Sequence, residues 1–361
     1  MITSVLESPV DSVLQQDLEE LVRILPLDDL KNSTVFITGS TGLIGSQIVK
    51  MLACANRLCD TNIRILAFAR DVKKAEKIFG NLLERRNFEL IIGDINDTIC
   101  YDKEVDYIIH GASATSSKYF VERPVETITT AINGTKNILD FARNKHVKGF
   151  LYLSSLEVYG IPVKDAGSIK EDAYGYIDPL QVRSSYSEGK RMVECLCVSY
   201  ASEYDIPVKI ARLSQTFGAG VDYNDGRVFA EFARCAIEHK NITLHTAGNT
   251  VRTYCYTKDA IAALFYILLR GIPGQAYNVT NENTKCSIRE MAQLVCDIFP
   301  ESGISVCFDT PKEISSYGYN PEMIIALDNS KLRSLGWSAT VDLSEMFKRM
   351  VDSFQLRKIS S

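Results

Sequence analysis

Thr34-Val-Phe-Ile-Thr38 runs without a break into Gly39-Ser-Thr-Gly42-Leu-Ile-Gly45. The first five residues are mostly β-branched or aromatic, so they read as a buried strand. From about Leu43 to Ala55 the apolar residues fall at helical spacing. The glycines therefore lie between a strand and a helix. Gly39 permits a sharp turn, Gly42 leaves the backbone bare, and Gly45 lets the helix pack close to the strand. Such a turn offers the free N–H groups and positive end of a helix to a pyrophosphate. Thr41, Leu43 and Ile44 belong to the same wall. The stretch predicts the opening strand–turn–helix of a dinucleotide-binding fold.

Further strands follow outward from it, at Ile63–Ala69, Leu90–Ile92, Tyr107–His110, Gly149–Ser154 and Val208–Leu213. Helical stretches separate them, the first after Asp71. Strands alternating with helices imply a parallel sheet covered on both faces. From about Gly218 the pattern loosens into short strands, loops and helices. The expected fold is α/β, a Rossmann-type doubly wound parallel sheet with a smaller C-terminal substrate-binding lobe. The expected divisions are an N-terminal helical extension (1–33), the dinucleotide-binding domain (34–217) and the lobe (218–361). Some lobe elements are expected to return to the main sheet. In the extension, Val13, Leu14, Leu18, Leu21, Val22 and Leu25 fall at helical spacing ahead of Pro26. They predict one amphipathic helix that packs on the main body or on a partner subunit.

The end of the second strand ordinarily selects the dinucleotide. An acid there grips a ribose 2′-hydroxyl, and a base accommodates a 2′-phosphate. Here Ala69 stands where the acid is expected, followed by Arg70 and Asp71. Arg70 suits a 2′-phosphate or an adenine face, and Asp71 is within reach of the ribose. NAD and NADP both stay open.

Tyr186-Ser-Glu-Gly-Lys190 lies in a helical segment, and a spacing of four puts both side chains on one face. A phenol titrates near 10, too high for a base at neutral pH. A neighbouring ammonium favours the phenolate. Ser154-Ser155-Leu156-Glu157 ends a strand, where hydroxyls meet ligands in such sheets. Ser155 can bind the same substrate oxygen as Tyr186, and Glu157 adds a carboxylate. The catalytic candidates are Tyr186, Lys190, Ser155 and Glu157.

Composition narrows the classes. The chain has 361 residues and a formal net charge of −5, with 46% hydrophobic and 24% charged residues. That balance gives no basic excess for nucleic acid or an anionic membrane. No apolar run approaches the ~20 residues of a membrane helix. The acidic, polar N-terminus does not read as a signal peptide. Ten cysteines include no C-x-x-C pair, and most lie in apolar segments. They read as buried free thiols of a reducing compartment, hence a cytoplasmic protein. The four histidines have no metal-ligand spacing, so no metal is expected.

Taken together these motifs resemble the extended short-chain dehydrogenase/reductase family of nucleotide-sugar epimerases, dehydratases and decarboxylases. The resemblance runs from about Thr34 to the end of the chain. It rests on the glycine turn, Gly93-Asp94-Ile95, His110-Gly111-Ala112-Ser113, Asn133-Gly134-Thr135, Ser154–Gly160, and Tyr186 with Lys190. It implies that Asp94 and Ile95 contact the adenine end, that Ala112 lines the cofactor site, and that Lys190 also holds the nicotinamide ribose. It further implies a tightly held cofactor and a homodimer, with Met192, Val193, Leu196 and Val198 on the pairing helix.

Within that family the likeness is greatest to UDP-glucuronate decarboxylases. It is carried by Glu171-Asp172 with Gly175, Pro179 and Arg183, by Ala211–Gly218 with Asn224–Arg227, and by Arg252–Asp259. It implies a UDP-sugar held by Arg183, Gln215, Arg227 and Arg252. Three positions depart from that pattern. Met323 stands where an arginine is usual, and Gln215 where asparagine is usual. Leu156-Glu157 stands where 4,6-dehydratases carry Asp-Glu. A 4-epimerase, a 4,6-dehydratase and an NADPH-dependent reductase are the enzymatic alternatives. A non-catalytic dinucleotide sensor is the alternative of another class.

Overall fold

Strand β1 (Thr34–Thr38) lies inside a parallel sheet, and its Val35, Phe36 and Ile37 are all buried. The computed structural model describes residues 6–113, 117–162, 167–309 and 322–359. Five strands follow in the same sheet: β2 (Arg64–Ala69), β3 (Phe88–Ile92), β4 (Tyr107–His110), β5 (Gly149–Ser155) and β6 (Val208–Leu213). Beyond them come β7 (Gln215–Phe217), β8 (Ile242–Leu244), β9 (Val251–Tyr256), β10 (Ala276–Val279), β11 (Asn281–Ser287), β12 (Val306–Phe308) and β13 (Ile324–Ile325). The main sheet has seven strands in the order β10-β6-β5-β4-β1-β2-β3. Strand order reverses beside β1, so the crevice outside the carboxyl ends of β1 and β4 is where a ligand binds in such sheets.

The helices are α1 (Ser12–Ile24), α2 (Leu43–Cys59), α3 (Val72–Phe79), α4 (Ser117–Glu122), α5 (Pro124–Lys145) and α6 (Ser184–Tyr204). They continue with α7 (Val228–Glu238), α8 (Thr257–Arg270), α9 (Ile288–Ile298), α10 (Ser330–Arg333) and α11 (Leu343–Ile359). One face of the main sheet is covered by α2 and α8, whose Ile48, Leu52, Ile261 and Leu264 are wholly buried. The other is covered by α5 and α6, through Ile138, Leu139, Val193 and Cys197. Val193 thus faces the protein's own core and not a partner; Met192 and Val198 are the exposed members of that helix. A third cluster, around Phe217, Phe229, Phe232 and Phe347, fills the space between α7, α9, α11 and the smaller sheet of β7, β9, β11 and β13. Strand β10 and helix α8 return to the main sheet after Gly218.

Helix α2 outlasts its expected end at Ala55 and stops at Cys59, where Asp60 turns left-handed at φ +47°. The cysteines depart from expectation as well. All ten are free thiols, but only Cys54, Cys197 and Cys255 are buried, and four are exposed. Helical segments put apolar and solvent faces in one stretch, so an apolar neighbourhood in sequence does not ensure burial.

Helix α1 begins where the Asp11 carboxylate accepts from the Leu14 N–H at 3.0 Å. Its Leu14, Leu18, Leu21 and Val22 are buried, each contributing roughly 1.5–3 kcal/mol. The helix packs on α2, α8 and α11. Just before it, the buried Glu7 carboxylate accepts from Arg57 at 2.9 Å, Arg85 at 2.7 Å and Gln15 at 3.0 Å. Burial raises the Glu7 pKa, but these donors outweigh it and hold the group at about 2. Its ordinary value is 4.5, so the contribution to stability is present above pH 4.5 and is lost as pH falls towards 2. Glu7→Gln is therefore expected to lower stability at pH 7 by about 3 kcal/mol. Denaturant unfolding of both proteins from pH 7 to pH 3 checks this. The difference narrows at the acid end; a constant difference rules the ion pairs out as its source.

Candidate active site

The glycine turn is built as tightly as its residues imply. Gly39 sits at φ +67°, and a β-carbon there would lie 2.6 Å from the Gly111 carbonyl carbon. A β-carbon on Gly45 would lie 2.2 Å from the Gly39 carbonyl oxygen. Gly45 thus seats α2 against the turn itself and not against the strand. Gly42 precedes α2 with no side-chain cap, and a β-carbon there would meet only the Gly39 carbonyl oxygen, at 3.2 Å. The first N–H groups of α2, at Leu43 and Ile44, have no intrahelical acceptor. Bare donors on an open glycine edge fit a dinucleotide pyrophosphate. Thr41 stands half-buried at the turn.

Below the turn, the Thr38 hydroxyl meets His110 Nδ1 at 2.7 Å and accepts from the Ala112 N–H at 3.2 Å. His110 Nε2 meets the Thr135 hydroxyl at 3.0 Å. Burial first, and then the Lys190 charge, press the His110 pKa down to about 3. Its ring is neutral, donating on one side and accepting on the other.

At the end of β2, Arg70 forms an ion pair with Asp94 at 3.9 Å. The Asp71 carboxylate accepts from the Lys74 N–H at 3.0 Å as the N-cap of α3. Asp71 thus caps its own helix through one carboxylate oxygen. Ile95 is buried against α5, where Gly134 leaves room for its side chain.

Strand β5 delivers Ser155 and helix α6 delivers Tyr186 and Lys190. The Tyr186 ring stacks on Phe120 of α4, with centroids 4.1 Å apart and planes 10° apart. Burial raises the Tyr186 pKa to about 12; a hydrogen bond with Ser155 and the charges of Arg183 and Arg227 lower it, and Glu157 raises it. The Lys190 ammonium is buried and donates to the Leu153 carbonyl at 2.8 Å. It sits 4.7 Å from the Tyr152 ring centre and 5.7 Å from that of Tyr186. A buried ammonium takes the nearest carbonyl, so Lys190 is turned to β5 and does not lie on the phenol oxygen. Burial lowers its pKa to about 8 against the opposing charge of Glu194.

Glu157 accepts from Arg183 at 3.3 Å and from the Ser187 hydroxyl at 3.1 Å. Arg183 also lies over the Phe120 ring at 5.1 Å. Arg227 is paired with Asp225 at 2.6 Å and stacks on Phe229 at 4.7 Å. Gln215 is opposite Tyr254 in the β7–β9 register, and Arg252 lies two residues earlier on β9. The three thus share a sheet face, with Gln215 and Arg252 half-buried. Met323 packs against the apolar cluster of Leu156, Val158 and Tyr159.

Three further residues support this site from behind or beside it. Phe120 backs Tyr186 from a separate helix, and nothing in local spacing marks it. Glu194 lies four residues after Lys190, so the arithmetic that paired Tyr186 with Lys190 extends to it. Arg212 on β6 holds Glu194 at 2.7 Å, both buried. Among the described residues, no group of three or more His, Cys, Asp or Glu could hold a metal ion. No described helix is long and apolar enough to cross a membrane.

A Rossmann sheet whose glycine turn and Ser–Tyr–Lys set share one crevice defines a dinucleotide-dependent enzyme. The profile of the NAD dependent epimerase/dehydratase family matches residues 35–280. UDP-glucuronic acid decarboxylase 6 of Arabidopsis thaliana is 30% identical over 328 residues, 90% of either chain. UDP-glucuronic acid decarboxylase 1 of Danio rerio is 28% identical, across 91% of this chain and 74% of its own length. Among solved structures, UDP-glucose 4-epimerase of Thermotoga maritima superposes with a TM-score of 0.73 at 21% identity, covering 91% of this chain and all of that one. UDP-N-acetylglucosamine 4-epimerase of Methanobrevibacter ruminantium reaches 0.76 at 20% identity, covering 91% and 99%. The chain belongs to the NAD dependent epimerase/dehydratase family.

Proposed function

We propose that this enzyme oxidises the C4 hydroxyl of a nucleotide sugar, a UDP-sugar by preference, and acts as a UDP-glucuronate decarboxylase. The observation that carries the proposal is that β5 with its Ser155 and α6 with its Tyr186 and Lys190 meet at the carboxyl edge of the sheet that also carries the glycine turn. The likeness to UDP-glucuronic acid decarboxylases over 90% of the chain supports the sugar assignment.

Gly39 to Gly45, Asp94, Ile95, Ala112 and Lys190 would hold NAD, which when bound supplies the hydride acceptor. Arg70 already faces Asp94, which favours NAD over NADP. Ser155 holds the sugar C4 oxygen and Tyr186 takes its proton. With C4 a ketone, a carboxylate at C5 leaves as carbon dioxide, because the β-carbonyl accepts the electron pair; a proton added at C5 and the hydride returned to C4 then give a pentose with no net oxidation. Arg183, Gln215, Arg227 and Arg252 would clamp the nucleotide diphosphate.

One observation favours a second reading. The apolar seat of Met323 supplies no cation where an arginine is usual, which favours 4-epimerisation. Incubation with UDP-glucuronate and mass spectrometry separates the two. A decarboxylase yields a UDP-pentose; an epimerase yields an isomer of unchanged mass. Intact substrate with full cofactor occupancy rules both out for this sugar. The reading also includes tightly held NAD, a homodimer through α5 and α6, and a cytoplasmic site. Exposed Val125, Met192 and Val198 support the dimer, and ten unpaired thiols support a reducing compartment.

A further inference from the structure

Behind the Tyr–Lys face lies a polar cluster whose charged pair is buried and whose outer edge, at Tyr174, reaches solvent. The Glu194 carboxylate accepts from Arg212 Nε at 3.0 Å and from Arg212 Nη2 at 2.7 Å. It also accepts from the Ser154 hydroxyl at 2.5 Å. Arg212 donates onward to the Tyr159 hydroxyl at 2.9 Å, the Glu171 carbonyl at 2.7 Å and the Tyr174 hydroxyl at 2.7 Å. The Tyr159 hydroxyl donates to Asn278 on β10. Arg212 is 1% exposed and Glu194 7%.

Buried charges of this kind need a full set of partners, and these have one. Their position gives the cluster its meaning. Ser154 is the residue before Ser155 and the residue after Leu153, whose carbonyl holds Lys190. Glu194 is one turn of α6 beyond Lys190 and two beyond Tyr186. A two-pronged Arg–carboxylate pair fixes distance and angle together. It ties α6 to β5 and β6 at the point from which both arms of the site extend.

We propose that the Glu194–Arg212 pair, with Ser154, is a positioning device that registers helix α6 on strand β5, so that Tyr186 meets Ser155 and Lys190 stays on the Leu153 carbonyl. The proposal rests on the functional reading above for its kinetic consequence but not for its geometric one. Glu194 also faces Lys190 electrostatically. The other titratable groups around that ammonium are Cys197 and Tyr186 on α6, Tyr152 on β5 and His110 on β4. Glu194 is the anion among them, and it opposes the loss of the Lys190 proton caused by burial.

The test uses the full chain loaded with NAD and three variants: Glu194→Gln, Arg212→Lys and Ser154→Ala. The first readout needs no substrate: the Lys190 midpoint, followed by NMR of protein labelled with nitrogen-15 lysine. It is expected near 8 in the native chain, about one unit lower in Glu194→Gln, and little moved in Ser154→Ala. The second readout is turnover of UDP-glucuronate. A misplacement near 1 Å lowers kcat about 100-fold, with KM unchanged because the cluster touches no substrate. Arg212→Lys keeps the charge but loses the fork, so its loss is intermediate. Should Glu194→Gln fail to fold, Ser154→Ala, which removes one hydrogen bond, decides the matter through kcat. Folded variants with native kcat and a native Lys190 midpoint overturn the proposal. A shifted midpoint in a chain that does not turn over UDP-glucuronate overturns only the substrate reading.

Discussion

Tyr186→Phe is expected to lower turnover of the nucleotide sugar by about 1,000-fold, the scale of a positioned proton-transfer group. Its melting temperature and bound NAD should be nearly native. The ring keeps its stack on Phe120, so the substitution removes an oxygen and little packing. The glycine turn and Lys190, to which the proposal assigns the cofactor, are untouched. Burial holds the hydroxyl at about 12, so the free enzyme stores its proton. Deprotonation is then expected within the complex, where a cationic nicotinamide ring would add to the charges of Arg183 and Arg227. Steady-state rates with UDP-glucuronate, alongside thermal melting, provide the measurement. A loss below tenfold removes Tyr186 from proton transfer. Native partner binding in a variant without turnover separates an enzyme from a sensor.

Gly39→Ala is expected to destabilise the protein by about 2–4 kcal/mol and to empty the cofactor site. Two costs combine. The left-handed backbone at φ +67° disfavours any β-carbon. The added carbon would also stand 2.6 Å from the backbone of Gly111, which no side-chain rotation relieves. Relief requires moving the turn away from the β4 end, where Ala112 lies. The N–H groups of α2 would then lose their aim at the pyrophosphate. Thermal melting and the nucleotide released on denaturation check both parts. A variant that copurifies with native amounts of NAD would contradict the assigned role of this turn.

Much of the main sheet was legible, because buried parallel strands are largely apolar on both faces and so announce themselves as runs such as Thr34–Thr38 and Gly149–Ser154. The strand order was not, since it depends on crossovers and not on local pattern. Strand β10 shows the limit: Ala-Tyr-Asn-Val is short, carries a buried asparagine, and gains its place only by pairing with β6. At the site, spacing sufficed for Tyr186 and Lys190 because one helix carries both. It gave their shared face but not the aim of the ammonium, which depends on a carbonyl of another strand. Arg70 and Asp71 read as cofactor residues from their chain positions; the contacts they also make, with Asp94 and the α3 N-terminus, appear only in three dimensions. Phe120 and Arg212 contribute through contacts 66 and 18 residues away in the chain, to Tyr186 and Glu194, beyond any periodic signal.

The neutral His110 bridge beneath the glycine turn makes the acid–base behaviour of the crevice one-sided. Thr38, His110 and Thr135 form a floor of dipoles with no ionising member between mild acid and alkali. Any pH dependence of the crevice is therefore expected to come from the wall that carries Tyr186 and Lys190, and not from this floor.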